Sequence, residues 1–170
     1  MTENFQNKQV FINDIPNLNH IEFKAIPRSY RLKSIIERSF SGALPLIAIL
    51  IVDLAGLYDI DTIILILAVT GYLCLIFWPS LSVPRMFFAI RERDIIYKHG
   101  VLWQSKMTVP FSRIQHVDIN QGPLDRKFKL GNLKVYTAGG SSGDLEINGL
   151  EISDAEKIKQ FIVEKIRDND

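Results

Sequence analysis

Apolar and polar positions are unevenly distributed along this chain of 170 residues. Two long apolar runs stand out, Phe40 to Tyr58 and Thr62 to Trp78, and the second contains no charged residue. A helix that crosses a bilayer needs about 20 apolar residues, with roughly 17 as the lower limit. Both runs are near that length. Neither carries the polar stripe that a helix lying on a soluble core would show. Tyr58 and Trp78 fall at run ends, where aromatic rings anchor in the membrane interface. The link Asp59–Ile60–Asp61 leaves room only for a tight antiparallel hairpin. The alternative is a hairpin buried in a soluble protein. It is disfavoured, because so short a chain can hardly bury two all-apolar helices.

Few positions interrupt the runs. Asp53 lies about two-thirds along the first, and a carboxylate at the centre of a span costs roughly 2.5–3.5 kcal/mol. No basic residue lies in either run to pair with it, which favours a side chain reaching the outer interface beside Asp59 over an intramembrane site. Pro45 is expected in the first turns of its helix, where a missing N–H is tolerated. Gly71 would allow close helix contact, although no second small residue accompanies it at the spacing of a packing motif. Cys74, the single cysteine, reads as a packed and unreactive thiol.

Before the first run, residues 1–27 form an arm with no sustained period and a short extended piece at Ile21–Phe23. The anchoring hairpin takes residues 28–80, with spans at about 40–58 and 62–78, and Pro27 opens a helix leading into the first span. Arg28, Arg31, Lys33 and Arg38 precede the spans, Arg85, Arg91 and Arg93 follow them, and the link has two Asp and no Lys or Arg. The positive-inside rule then puts both termini in the cytoplasm of a multi-pass plasma-membrane protein. Basic side chains there would also meet anionic head groups.

From residue 83 to 170 the texture changes to short β-prone pieces between turns. These are Met86–Ile90, Ile95–Lys98, Leu102–Val109, Ile114–Asn120, Leu133–Thr137 and Leu145–Asn148. Leu145 and Ile147 alternate with Glu146 and Asn148, one face in and one out. Gly100 and the Gly139–Gly143 stretch mark hairpin turns, and Gly122–Phe128 reads as a brief helical turn. The chain ends in a helix with Ser153 and Glu156 as a capping box and Ile158, Phe161, Ile162 and Ile166 on one face. Strands followed by one amphipathic helix predict an antiparallel sheet or partial barrel with the helix packed on it.

Formal net charge is +1, which makes no case for nucleic acid. Its distribution says more: Leu81 to Lys134 holds ten Lys/Arg against four Asp/Glu, and Val135 to Asp170 four against eight. Catalytic patterns are absent. Ser112, His116 and Asp118 are triad residue types, but they share one strand and cannot converge. His20, His99 and His116 lack metal spacing. The Gly139–Gly143 stretch lacks the Gly-Lys-Ser/Thr ending of a phosphate loop. The reading is therefore non-enzymatic, without cofactor or metal. The basic residues Arg85, Lys106, Arg113, Arg126, Lys127, Lys129 and Lys134 are the candidate lipid- or partner-binding set. Trp103, Phe111 and Phe128, interleaved with them, are expected mostly in the core.

The stretch Val109–Gly140, VPFSRIQHVDINQGPLDRKFKLGNLKVYTAGG, with Ile147–Leu150 and the terminal helix, resembles the bacterial pleckstrin-homology-like family of YdbS-like membrane proteins. The resemblance runs from about Arg28 to Arg167. Lys129 and Asn132 depart from it, standing where smaller, more apolar residues are expected. The resemblance implies a two-helix transmembrane hairpin plus a mainly-β, PH-like split barrel of about seven strands, capped by the C-terminal helix. The expected role is an interaction module at the inner face of the bacterial plasma membrane. Its partner would be a membrane protein of the same family or a second copy, held through barrel edges and loops such as Ser112–Asn120. The alternative is an anionic-lipid-binding or envelope-stress sensor domain.

Overall fold

The computed structural model describes residues 21–58, 61–140 and 143–167. Most of the N-terminal arm, Asp59 of the link, Ser141 and Ser142 of the glycine-rich turn and the last three residues lie outside the described residues.

Two helices dominate the N-terminal half: α1 (Arg28–Leu54) and α2 (Thr62–Ser82). Both are long and apolar enough to cross a membrane. Their most apolar windows are 0% and 6% buried, so neither is the core helix of a soluble fold. They pack on each other, and a groove between them is lined by Gly42, Leu46 and Ile49 of α1 and Ala68, Gly71, Tyr72 and Leu75 of α2. The glycine that permits close approach is Gly42, not Gly71. A Cβ on Gly42 would lie 2.8 Å from the Tyr72 ring, whereas one on Gly71 would meet nothing within 4 Å. The Tyr72 hydroxyl also donates to the Ser39 carbonyl at 3.0 Å.

The first span ends earlier than its apolar run. Gly56 N–H bonds the Asp53 carbonyl and Leu57 N–H the Val52 carbonyl, closing α1 at Leu54. Asp53 therefore sits in the last turn. Asp61 caps α2 by accepting from Ile63 N–H at 3.1 Å. Because α1 already runs from Arg28, Pro45 is internal rather than in its first turns, and α2 likewise continues through Pro79. Neighbouring helices commonly let a spanning helix tolerate such positions.

The strands form two antiparallel sheets. β1 (Lys24–Ala25), β2 (Phe87–Ile90), β3 (Asp94–His99) and β4 (Ser105–Pro110) pair in that order. The second sheet is β5 (Ile114–Asn120), β6 (Leu130–Thr137) and β7 (Leu145–Glu151). A short helix, α3 (Pro123–Lys127), joins β5 to β6, and α4 (Ile152–Arg167) follows β7. Among the described residues, seven strands in two sheets with α4 across them make the split barrel. One strand, β1, comes from ahead of the hairpin rather than from residues 83–170.

The core forms where the inward positions of both sheets meet α4. Ile95, Val109, Val117, Leu133, Val135, Leu145 and Ile147 pack with Ala155, Ile158 and Ile162. The alternation along β6 and β7 is the period-two pattern of half-buried strands. Several elements differ from the sequence reading: β6 starts three residues earlier, at Leu130, and β7 runs three residues further, to Glu151. The third β-prone piece starts at Ser105, since Leu102 and Trp103 lie in the preceding loop. The terminal helix starts at Ile152, so Ser153 stands inside its first turn rather than ahead of it.

Candidate membrane and partner surfaces

Strand direction gives the barrel two distinct ends. Ile26 N–H bonds the Met86 carbonyl, Ala25 pairs with Phe87, and Phe87 pairs with Lys98. The start of α1, the exit from α2 and the β3–β4 loop therefore share one end, termed here the helix end. The β5–β6 segment carrying α3 joins them there. At the far end lie the β2–β3 turn, where Phe111 N–H bonds the Arg93 carbonyl, and the β6–β7 loop, where Ala138 N–H bonds the Arg113 carbonyl.

This frame divides the seven candidate cations. Arg85, Lys106, Arg126, Lys127 and Lys129 lie at the helix end, and all five are exposed. The Arg85 guanidinium donates to the Leu81 carbonyl at 2.6 Å and so caps the end of α2. Arg113 is at the far end. Lys134 is half-buried in mid-β6, opposite Asp118 and Glu146, with its ammonium 4.8 Å from the Tyr136 ring centre.

The helix end is fastened by a polar network that the sequence reading did not find. Lys33, read there as a cation for head groups, is only 8% exposed and lies 3.1 Å from Oδ1 of Asp125, itself 3% exposed. Glu37 holds the same ammonium at 2.8 Å. Oδ2 of Asp125 accepts from Gly122 N–H at 3.0 Å and from the Asn132 amide at 3.4 Å. The Asn132 side chain in turn accepts from Gly149 N–H at 3.0 Å. Gly149 has φ +77° and faces the Tyr30 ring, which a Cβ would meet at 2.1 Å. Asn132 is thus polar because it ties β6 to β7 and to α3. Lys129, at φ +55°, passes its carbonyl to Ile152 N–H at the start of α4. A signal was present in the sequence: these were the two residues that departed from the family pattern. On the other side of the junction, Lys24 pairs with Asp154 of α4 at 2.7 Å.

A cleft of ≈ 420 Å³ opens at the far end, lined by Met107–Pro110 of β4, Arg113, Thr137–Gly139 and Gly143. Among the described residues β4 pairs only with β3, and residues along it line this opening. Asp144 closes the loop beside it, accepting from Thr137 N–H at 3.0 Å.

The three aromatic residues expected mostly in the core separate. Phe111 is buried and meets Phe161 edge-on. Phe128 is half-buried. Trp103 is 86% exposed and Leu102 beside it 74%. The triad residue types stay apart in role: Ser112 is exposed in the turn before β5, His116 stacks on Tyr136 at 4.0 Å, and Asp118 faces Lys134. Among the described residues no group of three His, Cys, Asp or Glu side chains is placed to hold a metal.

A small split barrel with a C-terminal helix, joined to an apolar helical hairpin, defines a membrane-associated barrel domain. More narrowly, this chain belongs to the bacterial PH domain family, whose model matches residues 41–166. It is 31% identical over 85 residues to the UPF0699 transmembrane protein YdbS of Bacillus subtilis (strain 168). The match takes 49% of this chain and 52% of that protein, so the chain spans about half the length of this curated relative. Among solved structures it resembles a DUF1696 family protein with a pleckstrin-homology domain from Shewanella loihica PV-4. That likeness has TM-score 0.38 and 18% identity, and covers 56% of this chain and 92% of that one.

Proposed function

We propose that this protein is a non-enzymatic interaction module of the bacterial plasma membrane. It crosses the bilayer twice, keeps both termini in the cytoplasm, and holds an extended segment of another membrane protein, or of a second copy, against its PH-like barrel. The observation that carries this reading is the open edge of β4 beside the far-end cleft. An unpaired strand edge offers a row of backbone donors and acceptors, and an added strand satisfies them.

A photo-crosslinking residue at Thr108, exposed on β4, tests it in intact cells. The expected result is one defined membrane-protein adduct, or a dimer of this chain, absent when the crosslinker sits at Glu164 on the outer face of α4. Equal labelling from both positions overturns the reading.

A second reading rests on the five exposed cations at the helix end, which suit anionic lipid. Reversing Arg126, Lys127 and Lys129 would then reduce the anionic phospholipid that co-purifies with the full chain. An unchanged lipid content would remove this reading.

A further inference from the structure

The loop between β3 and β4 is short, ordered by its backbone, and apolar at its tip. Gly100 has φ +122°, and a Cβ there would lie 1.8 Å from the Trp103 carbonyl. The turn thus depends on glycine, and it fixes Leu102 and Trp103 pointing away from the barrel. They are among the most exposed large apolar side chains outside the two long helices, at 74% and 86%. Their place in the fold is the helix end, one rung beyond the Phe87–Lys98 pair at which the chain leaves α2.

Basic residues flank the loop, and the Lys106 ammonium lies 5.9 Å from the Phe23 ring centre. Lys98 and Lys106 stand directly opposite each other in the β3–β4 register. Like charges at such a pair repel unless an anion lies between or beside them. Among the described residues neither lysine has an ion pair. Arg85 and His99 stand at the same end. An exposed Trp–Leu tip ringed by cations matches the boundary of an anionic bilayer. There tryptophan is enriched for its apolar body and polar N–H, and lysine stems reach back to the head groups.

We infer that the β3–β4 loop is a third membrane contact, with Leu102 and Trp103 seated in the interfacial layer of an anionic phospholipid bilayer and Lys98 and Lys106 on its phosphates. The inference rests on the two-span reading of α1 and α2, because continuity with those spans brings the loop to the surface. It does not depend on the partner cleft, which is at the other end.

The chain's only tryptophans are Trp78 and Trp103, which makes the test direct. The full-length Trp78→Phe variant keeps Trp103 alone, and Trp103→Phe keeps Trp78 alone. Each is reconstituted into phosphatidylglycerol/phosphatidylcholine vesicles, with and without phosphatidylcholine brominated high on its acyl chains. The expected result is quenching of Trp103 emission by about twofold, comparable to that of Trp78 at the end of its apolar run. If Trp78 is quenched and Trp103 is not, the loop proposal is overturned and the spans stand. If neither is quenched, both fall.

Discussion

Tyr97 is 5% exposed on β3, beneath the docked start of α1. Burial pushes its phenol up from 10.0 to about 12, and Tyr30 and Glu146 act in the same direction. Between those two values the unfolded chain loses this proton and the folded chain keeps it. Stability is therefore complete below pH 10 and falls as pH rises toward 12, by roughly 2 to 3 kcal/mol for a shift of this size. Tyr97→Phe should remove that part of the alkaline slope, read as a flatter midpoint-against-pH curve in detergent micelles. At this scale the sequence was least informative. Lys33 and Trp103 exchanged the environments their types suggest, the charge buried and the indole exposed. Periodicity reports which face of an element is apolar, but cannot foresee that Asp125, distant in sequence, makes burial of Lys33 tolerable.

The tie between α1 and α3 belongs to the scale of elements. Removing one member of a buried ion pair strands the other charge, at a cost of about 3 to 5 kcal/mol. Asp125→Ala leaves Lys33 its second partner Glu37, so the loss should be smaller, about 1 to 3 kcal/mol for the donors left without an acceptor, and hydrogen exchange should rise in the first three turns of α1. Adding Lys33→Met should recover part of the loss, but not all, because Gly122 N–H and the Asn132 amide still lack their acceptor. Equal instability of the single and double variants would mean that the pair does not hold the elements together. The elements themselves were largely legible. β5 has the bounds its apolar pattern gave, and α3 and α4 fall where their turn and amphipathic signals lie. The end of α1 was misjudged because apolar composition continues to Tyr58, while the backbone turns at Gly56. β1 lies just after the extended piece expected at Ile21–Phe23, for another reason. A two-residue strand has no period of its own and exists only because β2 offers an edge.

The molecule as a whole is two layers of different solvent preference fixed together at one end of the barrel. In the orientation proposed above, that end faces the cytoplasm. A reporter fused after Asp170 that requires the cytoplasm should therefore be active, and one that requires export should be silent. Export-dependent activity would invert the orientation. Fastening of α1 by Tyr30, Lys33 and β1 has a further consequence: the barrel becomes a ruler. Its far-end cleft stands above the helix end by the length of β6, about 25 Å at the rise of an extended strand. A membrane partner that uses this cleft must first climb that height on roughly 7 or 8 residues of extended chain. A shorter juxtamembrane segment would not reach it, whatever its side chains, so length joins chemistry in deciding what can bind.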